Sequence, residues 1–340
     1  MVSEMFLRLF PKERRMFWKY VAAQADKVQE IRLRANKPIL VLLQGQEWYL
    51  TYEGKLTDKQ ELSCCIEEGE MEALLEHICC YSLYAFEDEL KQGYITVEGG
   101  HRIGIAGQVV LEEDGSIRHI KHIKYMNIRI AHQVKGVAYN VLPFLYKQGH
   151  LKNTLIVSPP GCGKTTLLRD LIRMVSNGND YGKGICVGVV DERSEIAGSY
   201  MGIPQNDVGI RTDVLDACPK TLGMMLLLRS MSPDVIAVDE LGCAQDIENL
   251  RIVASCGSKI LATMHGEDLQ DVRSKCGLEQ AIADDLFQLI IILGKNDGKC
   301  VIRKIYNEED IQGASHRWKY DNSGLFRTGG VVSHTDDETA

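Results

Sequence analysis

The sequence predicts an α/β fold: a mostly parallel sheet covered on both faces, preceded by a smaller α+β domain. Three observations carry this. From about residue 150 onward, apolar strands alternate with longer helical stretches, the pattern of strands joined by crossover helices. Ahead of that, strands are separated by glycine-marked turns, as in an antiparallel meander. At 340 residues the chain is also long enough for two domains of roughly 100–200 residues, each with its own core. The expected boundaries are 1–135 for the N-terminal domain with its linker, 136–306 for the parallel-sheet domain, and 307–340 for a polar, glycine-rich tail expected to be weakly ordered.

Taken in order, MVSEMFLRLFPKERRMFWKY alternates apolar and charged residues and lacks the unbroken apolar core of a signal peptide. It reads as an amphipathic helix, with a helical pattern to about residue 28. EIRLRANKPILVLL and EWYLTYEG read as strands, broken at Asn36-Lys37-Pro38 and at a glycine turn. Apolar residues at helical spacing follow over roughly 61–90, including MEALLEHICCYSLYAF. YITVEGGHRIGIAGQVVLEEDGSIRHIKHI reads as a meander turning at Gly99-Gly100 and Asp114-Gly115, and NIRIAHQVKG closes the first domain. The second domain runs TLIVS, a helix from Lys164, ICVGVVD, a helix around 218–230, VIAVDE, a helix around 244–256, KILATMH, a short helix and FQLIIIL.

Composition narrows the function classes. With 39 basic and 47 acidic residues the net charge is -8, so no global field draws nucleic acid or an anionic membrane, although a local basic patch is compatible with it. The eleven cysteines contain no C-x-x-C and are odd in number, which suits a reducing cytosol better than zinc or a disulfide framework. The longest apolar run, LFQLIIIL, is far short of the roughly 20 residues of a membrane span. Any work at a membrane therefore needs a partner to hold the chain there.

The chemistry is concentrated in four strand ends. SPPGCGKTT, residues 158–166, follows an apolar strand and opens a helix, the context of a phosphate-binding loop G-x-x-x-x-G-K-[ST] with Ser158 in the first glycine position. The nucleotide-binding loop comprises Ser158, Pro159, Pro160, Gly161, Cys162, Gly163, Lys164, Thr165 and Thr166, and its backbone N–H groups from about Gly161 to Thr165 would converge on phosphate oxygens. Lys164 would reach the β- and γ-phosphates of ATP, and the Thr165 hydroxyl would ligate Mg²⁺. The first position mainly starts the turn off the strand, where serine fits if its φ/ψ permits. In SPDVIAVDELG a buried strand delivers Asp239 to Mg²⁺ and Glu240 to the attacking water, at the carboxyl edge where ligands sit in open α/β sheets. VGVVDERSEI ends another strand with Asp191, Glu192 and Glu195, which reads equally as a solvated strand end. KILATMHG presents His265, a structural residue or a γ-phosphate sensor. VGIRTDVLDACPK offers Arg211, Thr212, Asp213 and Lys220 in an expected loop, either a polar connection or a subunit-facing segment.

This order of motifs resembles the secretion-ATPase superfamily, the hexameric motors of type II and type IV secretion and of type IV pili. Asp191, Glu192 and Glu195 match its acidic box, Arg229 matches its arginine before a P-D-x-I-x-V strand, and Thr263-Met264-His265 matches its histidine box. The family usually carries Gly-Glu where this chain has Asp239-Glu240. The blocks EIRLRANKPI, GGHRIGIAGQVV, NIRIAH, SPPGCGKTTLLRDLIR, VVDERSEIAGS, VGIRTDVLDACPK and MMLLLRSMSPDVIAVDE, spanning roughly 25–305, are similar to the stage III sporulation protein AA family of endospore-forming bacteria. The resemblance implies a RecA-like ATPase domain in a homohexamer, using ATP and Mg²⁺, with Lys164, Glu192, Arg229, Glu240 and His265 catalytic. It further implies a cytoplasmic, mother-cell motor at a channel complex with membrane-embedded partners. In such motors arginines of the first domain or linker reach phosphate at the interface; Arg102 and Arg129, with Arg211 in the later block, are the expected positions. Two other readings stay open. One is a nucleic-acid-linked ATPase, against which the acidic charge counts; the other is a nucleotide-dependent scaffold with little turnover. A small-molecule kinase fits least, since no acceptor lid is evident.

Overall fold

The computed structural model describes residues 2–80, 86–275, 277–296 and 299–311. The N-terminal segment is not one helix. Pro11 lacks a backbone donor and drives the preceding residue out of helical geometry. The chain therefore forms α1 (Val2–Arg8), a 3₁₀ turn at Lys12–Arg14 and α2 (Lys19–Ala22). The helix expected over 61–90 is also shorter, running as α3 (Glu68–Ile78), with Cys80 in left-handed geometry at φ 49°, and then α4 (Glu87–Lys91). Part of that expectation, residues 81–85, lies outside the described residues.

These helices accompany a seven-stranded antiparallel sheet made of β1 (Val28–Arg34), β2 (Leu40–Leu43), β3 (Gln46–Leu50), β4 (Leu56–Thr57), β5 (Tyr94–Val97), β6 (His101–Leu111) and β7 (Ile117–Arg129). Its order is β4-β3-β2-β1-β7-β6-β5. One face carries Ile31, Leu33, Val41, Ile95, Ile103 and Ile128 into a core with Phe6, Phe10, Trp18, Met71 and Leu74. The alternate residues of β1 and β7, including Arg32, Arg34, Asn127 and Arg129, occupy the other face. This in-and-out alternation is what a sheet covered on one side requires.

A short helix, α5 (Leu142–Leu145), and a hairpin of β8 (Tyr146–Lys147) and β9 (His150–Leu151) lead into the second sheet. Its elements follow as β10 (Thr154–Ser158), α6 (Lys164–Asn177), a small hairpin of β11 (Gly178–Asn179) and β12 (Gly182–Lys183), β13 (Val187–Asp191), β14 (Thr212–Asp216), α7 (Lys220–Ser230), β15 (Val235–Val238), α8 (Ala244–Ser255), β16 (Lys259–His265), α9 (Leu269–Ser274), α10 (Leu278–Ala283), β17 (Leu289–Asn296) and β18 (Lys299–Asn307). The order is β14-β13-β15-β16-β10-β17-β18, parallel except for the edge strand β18. Both faces are covered. Leu155, Val157, Ile236 and Val238 pack with α8, α9 and α10, while Ile156, Val189, Ala237 and Leu261 pack with α6. Burying each such aliphatic side chain contributes roughly 1.5–3 kcal/mol, which is why these strands stay mostly apolar until their ends, with buried Thr263 of β16 an exception whose hydroxyl is hydrogen-bonded.

Two further differences from expectation stand out. The block containing Arg211 and Thr212 is not simply a loop: Thr212–Asp216 forms edge strand β14, paired parallel to β13. The start of the expected tail is ordered, since β18 reaches Asn307 and Ile311 is buried in the core; residues 312–340 lie outside the described residues.

Candidate functional site

The four polar strand ends meet at one edge. Ser158 at the end of β10 pairs in register with His265 at the end of β16, and β15, whose next residues are Asp239 and Glu240, pairs with β16 and β13. This is the carboxyl edge, where the outward strand order also reverses around β10.

Gly161 and Gly163 adopt φ 68° and 79°, left-handed values that favour glycine, and Gly163 is the N-cap of the 14-residue helix α6. The first N–H groups of any α-helix lack intrahelical acceptors, so the loop and helix start face the site with unmet donors. Ser158 needs no glycine. It is buried strand residue, absent from the left-handed set, and its Oγ donates to the Pro159 carbonyl at 2.7 Å.

Lys164 is 7% exposed, and its Nζ donates to His265 Nδ1 at 2.9 Å and to the Ser158 carbonyl at 3.5 Å. Burial pulls its pKa down, while Asp239 and Glu240 push it back up. The Thr165 hydroxyl donates to Asp239 Oδ2 at 2.8 Å, and the Thr263 hydroxyl donates to Asp239 Oδ1. Glu240 sits at φ 51°, a left-handed geometry costing a non-glycine residue about 1–2 kcal/mol. It is held by its own N–H donating to Thr263 Oγ1 at 2.9 Å. Its carboxylate lies 3.5 Å from His265 Nε2 and 3.3 Å from Arg193 Nη1.

The acidic strand end divides into two kinds of carboxylate. Asp191 is not solvated. It is 1% exposed and accepts N–H bonds from Glu195, Ile196 and Ala197 at 2.8–3.2 Å. Burial raises its pKa to about 6, against the lowering effect of those N–H groups. Glu192 pairs with Lys220, and Glu195 pairs with Arg102 at 3.1 Å. Arg102 also stacks on the Tyr94 ring at 3.6 Å.

The remaining sequence-selected arginines are not with this cluster. Arg129 lies opposite Arg102 across β6 and β7, 3.6 Å from Glu30. Arg211 donates to the Ser176 carbonyl at 3.0 Å, and Ser176 is 12 residues, or about 18 Å of helix, beyond Lys164. Arg229 is exposed near the end of α7 and lines a cleft with Asp234 and Ser258, which precede β15 and β16 at the opposite end of the sheet.

Two residues escaped the sequence reading. Arg193 faces Glu240 from within the acidic block, where a cation among carboxylates was the available signal. Arg169, five residues beyond Lys164 on the same helix, donates from Nε and Nη2 to the carbonyls of Ile196 and Glu195. Burial pulls its pKa down and Asp191, Asp239 and Glu195 oppose that, a placement no local spacing announces.

Over residues 3–312 the chain matches the family described as sporulation stage III, protein AA. It belongs to that family. Among stage III sporulation protein AA sequences, that of Bacillus subtilis (strain 168) is 40% identical over 283 residues, covering 83% of this chain and 88% of that protein. In the solved structures, the fold is similar to the ATPase DotB of Legionella pneumophila, with TM-score 0.55 at 17% identity over 92% of this chain and 88% of that one. It is also similar to the pilus retraction motor PilT solved with ADP, with TM-score 0.58 at 18% identity over 86% of this chain and 84% of that one. At such identities the likeness speaks to fold: this family member has a RecA-like P-loop fold similar to that of these two structures, behind an N-terminal antiparallel sheet. Among the described residues no helix is long and apolar enough to cross a membrane.

Proposed function

We propose that the chain is a Mg²⁺-dependent ATP hydrolase that works as a ring of six copies and energises a membrane channel complex during endospore formation. Lys164, Thr165, Asp239 and Glu240 converging beyond the carboxyl ends of β10 and β15 is the observation that carries this reading. In it, residues 1–135 form the moving N-terminal domain and 136–306 the nucleotide-binding domain, with the chain on the cytoplasmic side of the mother cell.

The donor set fits Mg²⁺: a hydroxyl and a carboxylate 2.8 Å apart are hard oxygen ligands of the kind that cation takes, with phosphate oxygens and water completing its shell. When bound, the cation would neutralise charge on the phosphates. The amides from Gly161 to Thr165 bind the phosphate oxygens, and Lys164 Nζ turns from His265 Nδ1 to them. Glu240 orients water and accepts its proton at a carboxylate oxygen. His265, facing Lys164 and Glu240 through its two ring nitrogens, senses the terminal phosphate. The Arg102–Glu195 ion pair supports Arg102 as the arginine of the first domain nearest this chemistry; Arg129 stands behind it, and Arg211 has the least support. Closure of the first domain over nucleotide would turn phosphate contacts into rigid-body motion passed to a membrane-embedded partner.

The test pairs two variants. Lys164→Ala is expected to lose ATP binding, and Glu240→Gln to keep it while turnover falls at least about 100-fold. Full turnover by purified Glu240→Gln would remove Glu240 from the proton-accepting role.

A nucleic-acid-linked ATPase is the second reading, favoured by one observation. The open face of the first sheet holds a cleft of about 470 Å³ lined by Arg32, Arg34, Arg102 and Arg129 with Tyr94 and Tyr125. Turnover stimulated by single-stranded DNA and steeply weakened by salt would select it.

A further inference from the structure

The carboxylate of Glu240 is engaged at both oxygens. Oε1 lies 3.5 Å from His265 Nε2 and Oε2 lies 3.3 Å from Arg193 Nη1. The other imidazole nitrogen, Nδ1, is 2.9 Å from Lys164 Nζ. An ammonium has no acceptor. Nδ1 therefore accepts from Lys164, and the ring proton sits on Nε2, on the side facing Glu240. Lys164 is hydrogen-bonded to His265 and Arg193 to Glu240, with a 3.5 Å contact between imidazole and carboxylate joining the two pairs, so the three groups assigned to the terminal phosphate and water lie against one another.

Arg193 does not reach this position on a loose loop. Asp191 is fixed by three N–H bonds, Glu192 by Lys220, the Ser194 hydroxyl by Asp216 Oδ1 at 2.7 Å, and Glu195 by Arg102. With both flanks tied, the guanidinium of Arg193 is directed at Glu240 while its side chain stays 62% exposed. Glu240 meanwhile holds a left-handed backbone at φ 51°.

We propose that Arg193 is a positioning residue that holds Glu240 in a resting latch, which the terminal phosphate of a bound nucleoside triphosphate opens. The proposal rests on the hydrolase reading above. Phosphate oxygens draw Lys164 away because a charge-assisted bond to an oxyanion is stronger than one to a neutral imidazole. His265 then loses its donor on Nδ1, the terminal phosphate takes the place beside Nε2 and parts the ring from Glu240, and the exposed Arg193 swings away with little desolvation to repay. Nucleoside diphosphate reaches Lys164 through its β-phosphate but puts no oxyanion beside His265 Nε2 and Glu240, so the latch stays closed. An ion pair this exposed contributes little, so the restraint is a modest one.

The test compares Arg193→Gln and Arg193→Lys with the parent full-length chain, in steady-state turnover and in ¹⁵N NMR of histidine-labelled protein. Arg193→Gln is expected to raise kcat about two- to five-fold with the KM for ATP within about two-fold, and Arg193→Lys to return it toward the parent. The parent's His265 is expected as the Nε2–H tautomer, its Nε2 signal shifting with a non-hydrolysable ATP analogue and Mg²⁺ but not with ADP. A tenfold fall in kcat would instead make Arg193 a phosphate-contacting catalytic residue, and a raised KM alone would make it a substrate binder; either overturns the latch. Unchanged kinetics and unchanged His265 signals in Arg193→Gln overturn it as well. If the parent hydrolyses no ATP, the hydrolase reading fails by itself, and the His265 signals decide the latch: a shift with the triphosphate analogue alone supports it, and none refutes it.

Discussion

Asp191 makes a stability prediction whose sign differs from that of an ordinary paired carboxylate. Burial raises its pKa from 3.8 to about 6 in the folded protein, whereas the unfolded chain keeps the ordinary value. Between those values the folded state binds the extra proton, so stability falls as pH rises from 4 toward 6 and is level above about 7. The shift corresponds to about 3 kcal/mol in full, of which about 2 kcal/mol falls between pH 4.5 and pH 7.5. Asp191→Asn removes the titration while leaving an amide oxygen to accept from the N–H groups of residues 195–197. The expected cost of that variant in urea denaturation is therefore about 2 kcal/mol larger at pH 4.5 than at pH 7.5. An equal cost at both pH values, or a larger one at pH 7.5, would refute the claim that desolvation outweighs the three N–H bonds.

Two other perturbations have definite outcomes. His101 is buried, and burial, helped by the charge of His132, lowers its pKa to about 4; its Nδ1 accepts the Ala131 N–H at 3.0 Å. The unfolded chain takes up that proton near pH 6.5, so this stability is lost as pH falls from 6.5 toward 4, about 2 kcal/mol of it between pH 7.5 and pH 5. His101→Gln should flatten that acid limb in denaturation curves, and an unchanged limb would show that another group sets it. In the phosphate loop, Gly163→Ala forces a left-handed alanine, about 1–2 kcal/mol of strain, whose Cβ would meet Cys300 Sγ at 3.5 Å. Fluorescent-nucleotide titration should find its affinity down tenfold or more and that of Ser158→Gly within about two-fold; equal effects would mean the loop is misaligned.

What could be read from the sequence follows from burial. TLIVS, VGVVD and VIAVDE run apolar almost to their ends, and KILATMH does so but for Thr263, because both faces of their sheet are covered. The first polar residue after each run then has one place to go, the carboxyl edge, so Ser158, Asp191, Asp239 and His265 could be grouped from sequence alone. Edge strand β14 lacked that signal. All five of its residues are half-buried, so TDVLD shows neither an apolar run nor a clean alternation. The break of the helix after Ile78 is equally local and quiet, resting on Cys80 adopting φ 49° instead of a proline or glycine. Side-chain partnerships were least legible. Lys220 pairs with Glu192 from 28 residues away and Arg102 with Glu195 from 93, distances over which spacing carries no information.

Those long-range pairs also bear on how hydrolysis would become motion. Arg169 of α6 grips the carbonyls of Glu195 and Ile196, while Arg102 of the N-terminal sheet grips the Glu195 side chain. The phosphate-loop helix and the first sheet therefore hold the same short segment, whose backbone Asp191 keeps from yielding. A displacement of either is transmitted through charged hydrogen bonds instead of being absorbed by a flexible loop. Transmission alone is not a switch, because coupling between sites requires an element with two discrete arrangements. Arg193 lies on that segment and pairs with Glu240, the carboxylate proposed to orient water. If made or broken by a terminal phosphate as proposed, that pair would supply the two states, and the segment around it would carry the difference to the N-terminal sheet.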